Sequence, residues 1–324
     1  MAIKHNKILL EFERLTVTSN HIKEHHVLLF TTNITTTELV DYLNDDFYFE
    51  TSLRLLNLKD QLTVRCQKNV DNRNKQLISR LFFKLVLNYI IYIYDANGEF
   101  QPWKDLNFSY NEFGKPYLMQ QELYKFQFNS SSSNDILSIV VELNAPGPIG
   151  IDLSHSRQAI SSTNFLEEFK PIFDPTEIQQ LLEIKNVSFR YIIFNQLWTL
   201  KEAFTKLLGS GLNIDLSKFC FFLNKSMIDD NTICSCDSDS LVSKFEIDWK
   251  RDIDVSVCKL FDEKNPFLLE LSSRDFNCYS GVLANSTSEK LPVIVSVINQ
   301  HYYRDDKSFS KNFNVNFFEV LSDI

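Results

Sequence analysis

The sequence predicts an α+β protein made of two similar halves, and three observations point there. Two long stretches with helical periodicity, 71–89 and 189–208, each stand beside short runs of Ile, Val and Phe bounded by polar clusters. A turn-forming loop, Asn144-Ala145-Pro146-Gly147-Pro148, falls between them and sets a boundary near 145, with 1–144 as the N-terminal half and 145–324 as the C-terminal half. Glycine is scarce, 7 residues in 324, against a usual share of roughly 7%. A chain so sparing keeps glycine where backbone geometry demands it.

Each element follows from its local pattern. In the first half, the apolar run 81–94 is interrupted by Lys84 and Asn88 and is shorter than the roughly 18 residues a membrane span needs. It reads as a buried helix running into a strand at 92–94. The polar stretch 129–135 reads as punctuation before a strand at 136–143. In the second half, the 189–208 helix precedes strand-like runs at 219–223, 267–271 and 293–297. The acidic stretch 229–243 reads as a surface insertion, and 307–312 as a loop before a strand-like tail. No short-period repeat is present.

Charge and cysteine content narrow the function classes. Lys and Arg total 33 against 42 Asp and Glu, a net charge of −9. That balance argues against bulk nucleic-acid binding. Six cysteines are too few for a disulfide scaffold at this length, and Cys234-Ser235-Cys236 is too closely spaced for an ordinary zinc pair. With no leader-like start, a cytoplasmic monomer without a membrane or nucleic-acid partner is expected.

Five segments carry residues suited to chemistry. In Ile149-Gly150-Ile151-Asp152-Leu153-Ser154, strand alternation puts Asp152 and Ser154 on one face and leaves space at Gly150 for a ligand. Asp152 then either holds a hard cation such as Mg²⁺ or caps a strand end. Trp198, Glu202 and Lys206 are spaced i, i+4, i+8 and share one helical face. That stripe is either a solvated Glu–Lys pair or a cation-and-phosphate site. In Phe113-Gly114-Lys115-Pro116, a turn displays Lys115 either to a phosphate or simply to solvent. The Phe128-Asn129-Ser130-Ser131-Ser132 run offers amide and hydroxyl groups to an anion, or is a solvated linker. The basic residues Arg65, Lys68, Arg73, Lys75, Arg80 and Lys84 form either a solvated face or one wall of a phosphate pocket. No Walker loop, Rossmann fingerprint, nucleophile elbow or zincin motif is present.

These segments, in this order, resemble the 4′-phosphopantetheinyl transferase superfamily of the two-domain surfactin type. The Gly-Lys-Pro, Phe-Asn-x-Ser and Gly-Ile-Asp elements match at 114–116, 128–131 and 150–152. Phe173 and Glu177 fit a further element, and Trp198-Thr199-x-Lys201-Glu202-Ala203-x-x-Lys206 matches the most specific signature. The resemblance covers about 71–223. It implies two pseudo-twofold-related α+β halves with coenzyme A in the cleft between them. It also implies transfer of the phosphopantetheine arm to a carrier-domain serine, releasing adenosine 3′,5′-bisphosphate.

By position, Asp152 and Glu202 would hold Mg²⁺, and Lys206 would stabilise or protonate the departing phosphate. Lys115, Asn129, Ser131 and Ser132 would hold coenzyme A, with Arg65 and Lys75 toward its nucleotide end. Two positions depart from the pattern: Ser154 stands where many bacterial members have a metal-binding Glu, and Ser132 where a His is common. The base is then Glu202 or a metal-bound water, while His155, by strand alternation, points to the opposite face. The missing Glu, the Asn/Ser/Phe/Ile-rich composition and the length resemble the fungal stand-alone members that activate aminoadipate reductase in lysine biosynthesis. A non-catalytic protein that binds coenzyme A or a carrier domain is the alternative.

Overall fold

The computed structural model describes residues 26–94, 99–119, 125–145, 147–157, 165–224, 247–257, 259–260, 276–284, 291–300 and 309–324. The chain opens with β1 (His26–Asn33), α1 (Thr37–Asn44), α2 (Asp46–Leu53), α3 (Leu58–Arg65) and the long α4 (Val70–Tyr94). Side-chain caps start α2 and α3: Asp45 accepts from the amides of Phe47 and Tyr48, and Asn57 from that of Asp60. A hairpin, β2 (Phe108–Tyr110) and β3 (Pro116–Leu118), leads to β4 (Phe126–Ser132), β5 (Ile136–Leu143) and β6 (Ile149–Leu153). Next come α5 (Phe165–Phe169), α6 (Pro175–Glu183) and α7 (Val187–Leu208). A capping box between Asp174 and Glu177, with Pro175 in the first turn, starts α6. The chain then runs through β7 (Cys220–Leu223), β8 (Ile253–Ser256), β9 (Phe276–Ala284), β10 (Val293–Gln300), β11 (Phe309–Asn314) and α8 (Phe317–Ser322).

The fold is α+β. One sheet has the order β11-β1-β5-β4, parallel only between β1 and β11, and a second has the order β6-β10-β9, all antiparallel. Strand alternation separates the cores. Leu28 and Phe30 of β1 join Ile139 and Val141 of β5 under α4. Val27, Leu29 and Val140 face the other way, against Ile149, Ile151 and Leu153 of β6 and Val293, Val295 and Val297 of β10. Helix α7 covers the outer face of the second sheet, packing Leu197, Leu200 and Phe204 with Cys278 and Ile298. The layers therefore run helix, sheet, sheet, helix.

Several sequence expectations give way here. Residues 92–94 do not form a strand; α4 continues through Tyr94, because Tyr92 packs on Phe100 and Tyr94 on Phe126. Tertiary contacts override the strand propensity of these residues. This helix is long and apolar enough to cross a membrane, but it is a core helix of the first sheet. Its interrupting polar groups are satisfied. Lys84 Nζ donates to the Leu55 carbonyl at 2.7 Å, and Asn88 Nδ2 to those of Pro102 and Lys104. The loop expected at 307–312 is a strand from Phe309, and the tail after it is helix α8. Both return to the first sheet and its core, so 309–324 packs with N-terminal elements although the division near 145 puts it in the other half. The strand expected at 267–271 and the insertion 229–243 lie outside the described residues.

Gly150 corrects a further expectation. Its missing side chain makes room for a helix, not a ligand. A Cβ there would sit 2.0 Å from the Ala203 carbonyl oxygen and 2.6 Å from the Leu207 amide nitrogen. Both are backbone atoms of α7, which cannot turn aside. Gly150→Ala is expected to destabilise the protein by about 1–3 kcal/mol or more through this overpacking. A chemical-denaturation midpoint equal to that of the wild type would contradict the contact.

Candidate active site

The close approach of α7 to β6 sets the site. A cavity of about 700 Å³ opens beside them, lined at one end by Ser130, Ser131, Ser132, Asp152, Glu202 and Lys206. Its other end is aromatic, with Phe169, Phe194 and Trp198. Trp198, Glu202 and Lys206 all face it, as their spacing on one helical stripe requires.

At the polar end three side chains interlock. Lys206 Nζ donates to Asp152 Oδ1 at 2.7 Å and to Ser131 Oγ at 2.9 Å. Ser131 Oγ in turn donates to Asp152 Oδ1 at 2.9 Å and accepts from the Leu153 amide at 3.3 Å. Ser131 reaches this point because 126–132 is strand β4 and not a linker. Phe126 and Phe128 enter the core beneath α4, so Asn129 and Ser131 face β6 and α7. Burial raises the Glu202 carboxyl above its usual range, the charge of Asp152 raises it further, and Lys206 partly opposes them.

The remaining candidates are placed differently. Lys115 is not displayed. It is drawn inward, its Nζ donating to the carbonyls of Lys206 at 2.8 Å, Leu207 at 2.9 Å and Ile149 at 3.4 Å. Arg65 pairs with Glu50 at 2.6 Å and does not line the cavity. Lys75 Nζ donates to the carbonyl of Asn134, a residue on the cavity's rim. Arg73 lies over the Phe49 ring, Arg80 pairs with Asp60, and Lys84 with Asp105, so these three form no phosphate wall. Ser154, one residue past β6, also lines the cavity, but its hydroxyl is engaged with the backbone, donating to the Pro292 carbonyl and accepting from the Ile294 amide. His155 lies beyond the end of β6, where alternation no longer applies, and it lines the cavity.

Sequence reading missed Asn195 and Phe194. Asn195 lies seven residues before Glu202 on the same helical stripe, and Phe194 four before Trp198, so spacing alone was the available signal. It also passed over the role of Lys201. That ammonium is fully buried 2.8 Å from the Glu177 carboxylate and donates to the carbonyls of Leu216 and Phe219. Glu177 also accepts from the amides of Asp174 and Phe221, so the pair pins α6, α7 and β7 together.

Asp152 and Glu202 suit a hard cation. They are oxygen donors at the polar end of the cavity, and a divalent ion would offset both the burial of the Glu202 carboxylate and its repulsion by Asp152. Among the described residues no third His, Cys, Asp or Glu completes a protein-only cage. Water and phosphate oxygens would have to fill the shell.

The segment that carries these residues is similar to known proteins. Residues 148–258 match the 4′-phosphopantetheinyl transferase superfamily. The matched segment contains β6, α7 and all of Asp152, Glu202 and Lys206. The chain is also similar to the L-aminoadipate-semialdehyde dehydrogenase-phosphopantetheinyl transferases of Saccharomyces cerevisiae and Eremothecium gossypii. It is 31% identical to the first over 56% of this chain and 63% of the relative, and 31% identical to the second over 54% and 59%. The superfamily member Sfp of Bacillus subtilis, a 4′-phosphopantetheinyl transferase, is 34% identical over 37% of this chain and 49% of its own length. The chain thus spans about three-fifths of the length of these two fungal relatives.

Two outcomes test this geometry. Replacing one partner of the buried pair, as in Glu177→Gln or Lys201→Met, is expected to cost about 3–5 kcal/mol in urea unfolding. The double variant should cost less than the two single losses added together. Burial pushes the Lys115 ammonium from 10.5 down to about 8. Between those values the unfolded chain binds more protons, so Lys115 makes folding stability rise with pH. Lys115→Met should remove that rise, and the stability advantage of wild type over variant should grow from pH 8 to 10.5.

Proposed function

We propose that this protein transfers the phosphopantetheine arm of coenzyme A to a serine hydroxyl of an apo carrier domain. The observation that carries the reading is the Ser131–Asp152–Lys206 cluster beside Glu202, at the polar end of a cavity, in the segment matching the superfamily. Two carboxylates and an ammonium at one cavity end suit a pyrophosphate bound with a cation. The names of the fungal relatives support the carrier domain of aminoadipate reductase as the acceptor. The α+β architecture supports two halves meeting near residue 145, with 309–324 returned to the first and coenzyme A in the cleft between them.

The reaction is a displacement at the β-phosphorus. The acceptor serine oxygen forms a bond to phosphorus as the bond to the bridging oxygen breaks, and adenosine 3′,5′-bisphosphate leaves. Asp152 and Glu202 would hold Mg²⁺, which supplies neutralisation of the pyrophosphate charge. The Glu202 carboxylate, which lines the same end of the cavity as Asp152 and Lys206, would accept the serine proton. Lys206 Nζ places a positive charge, and a transferable proton, where the leaving oxygen becomes anionic. Positioning and charge do most of this work, since phosphoryl transfer needs no covalent intermediate.

The test is incubation with coenzyme A, Mg²⁺ and the apo carrier domain of aminoadipate reductase, followed by intact-mass analysis of the carrier. A gain of one phosphopantetheine is expected. Tight coenzyme A binding without any gain would instead support a binding protein. Asp152→Asn and Glu202→Gln should each lower transfer by about a hundredfold or more while leaving the melting curve close to wild type. Full activity in either variant would overturn the two-carboxylate assignment.

A further inference from the structure

The Gly-Lys-Pro turn is tied to the end of the catalytic helix. Asn111 Oδ1 accepts from the amides of Phe113 and Lys115, which shapes the turn between β2 and β3. Asn111 Nδ2 reaches across to the Gly209 carbonyl at 2.8 Å. Gly209 ends α7 in the left-handed conformation, with φ of 69°. A helix end leaves its last carbonyls without partners inside the helix. The Gly209 amide donates to the Lys206 carbonyl at 3.2 Å, and two side chains from N-terminal elements add further donors to this last turn. Lys115 Nζ donates to the carbonyls of Lys206, Leu207 and Ile149. Asn129 Nδ2 donates to those of Lys206 at 3.3 Å and Ile149 at 3.2 Å.

An ammonium has three donors, and here three carbonyls take them. The helix dipole also favours a cation at a helix C-terminus, which offsets part of the cost of burying the Lys115 ammonium. The captured carbonyl of Lys206 belongs to the residue whose own ammonium sits 2.7 Å from Asp152. Fixing that peptide fixes the direction in which the Lys206 side chain leaves the helix.

We propose that Lys115 is a positioning residue, which with Asn129 clamps the last turn of α7 to β6 and so holds Lys206 over Asp152, and that it does not itself bind substrate phosphate. This rests on the proposed transferase function and differs from the phosphate role that the Gly-Lys-Pro resemblance implies. Binding and turnover then separate. A phosphate ligand contributes to coenzyme A affinity, whereas a positioning residue contributes to the step in which Lys206 acts.

The experiment compares wild type with Lys115→Met, Asn129→Ala and the double variant. Steady-state kinetics give kcat and the KM for coenzyme A, and calorimetry gives the affinity for coenzyme A alone. Lys115→Met should lower kcat by between about tenfold and a hundredfold, with KM and calorimetric affinity within about twofold of wild type. Asn129→Ala should lower kcat in the same sense. The double variant should fall short of the product of the two single effects, because both side chains hold the same carbonyls.

A loss of coenzyme A affinity with kcat preserved would overturn the proposal. So would a lowered melting temperature with unchanged kcat per folded molecule. If Lys115→Met does not fold, Asn129→Ala carries the same kcat-against-KM test. If the wild type binds coenzyme A but transfers nothing, the proposed function fails separately. The calorimetric comparison then still decides whether Lys115 touches phosphate. Equal affinities support the clamp, and weaker binding by the variant overturns it.

Discussion

The contact between the backbone of α7 and the backbone of β6 at Gly150 is what the site depends on. No side chain separates them, and only glycine permits that approach. Helix α7 carries Glu202 and Lys206, and β6 carries Asp152. The close approach lets Lys206 Nζ meet Asp152 at 2.7 Å and sets two carboxylates at one end of the cavity. From the other side, Lys115 and Asn129 hold the end of the same helix, so it is fixed along its length and at its terminus.

The buried charges follow from this arrangement and divide into two kinds. Lys201 and Glu177 are fully enclosed, and each finds further hydrogen-bond partners among backbone groups. Such a pair ties neighbouring elements together and is intolerant of losing one member. Asp152, Glu202 and Lys206 are less enclosed and line open space. Burial first and the neighbouring Asp152 second raise the Glu202 carboxyl there. Adjacent residues of one helix thus serve opposite ends: Lys201 faces the core and Glu202 faces the cavity, because successive residues point in directions about 100° apart.

How much was legible varies by residue. Trp198, Glu202 and Lys206 were legible because helical spacing is local and the helix is long and regular. Asp152 was legible from strict alternation across a five-residue strand. Ser131 was singled out for its hydroxyl but read within a polar loop, since a serine-rich run resembles a linker until Phe126 and Phe128 are seen to anchor it in β4. Lys115 was named for its display on a turn, yet its long side chain folds back onto a helix 91 residues away in sequence. Arg65 and the basic run after it were grouped by charge, while their partners Glu50, Asp60 and Asp105 lie on other segments that no local pattern connects.

The sequence by itself determined the α+β class, the two long helices, the stripe on α7 and the ordered motifs that resemble the superfamily. All of these depend on neighbours within about a dozen residues, where backbone period decides which side chains share a face. Only the tertiary structure decided that α4 runs through Tyr94, that the 309–324 tail returns to the first sheet, and that Gly150 makes room for a helix and not a ligand. It alone turned Lys115 inward as a cap on α7. In each case local preference left two environments open. The outcome went to the one that satisfied hydrogen bonds or buried apolar surface against a distant part of the chain.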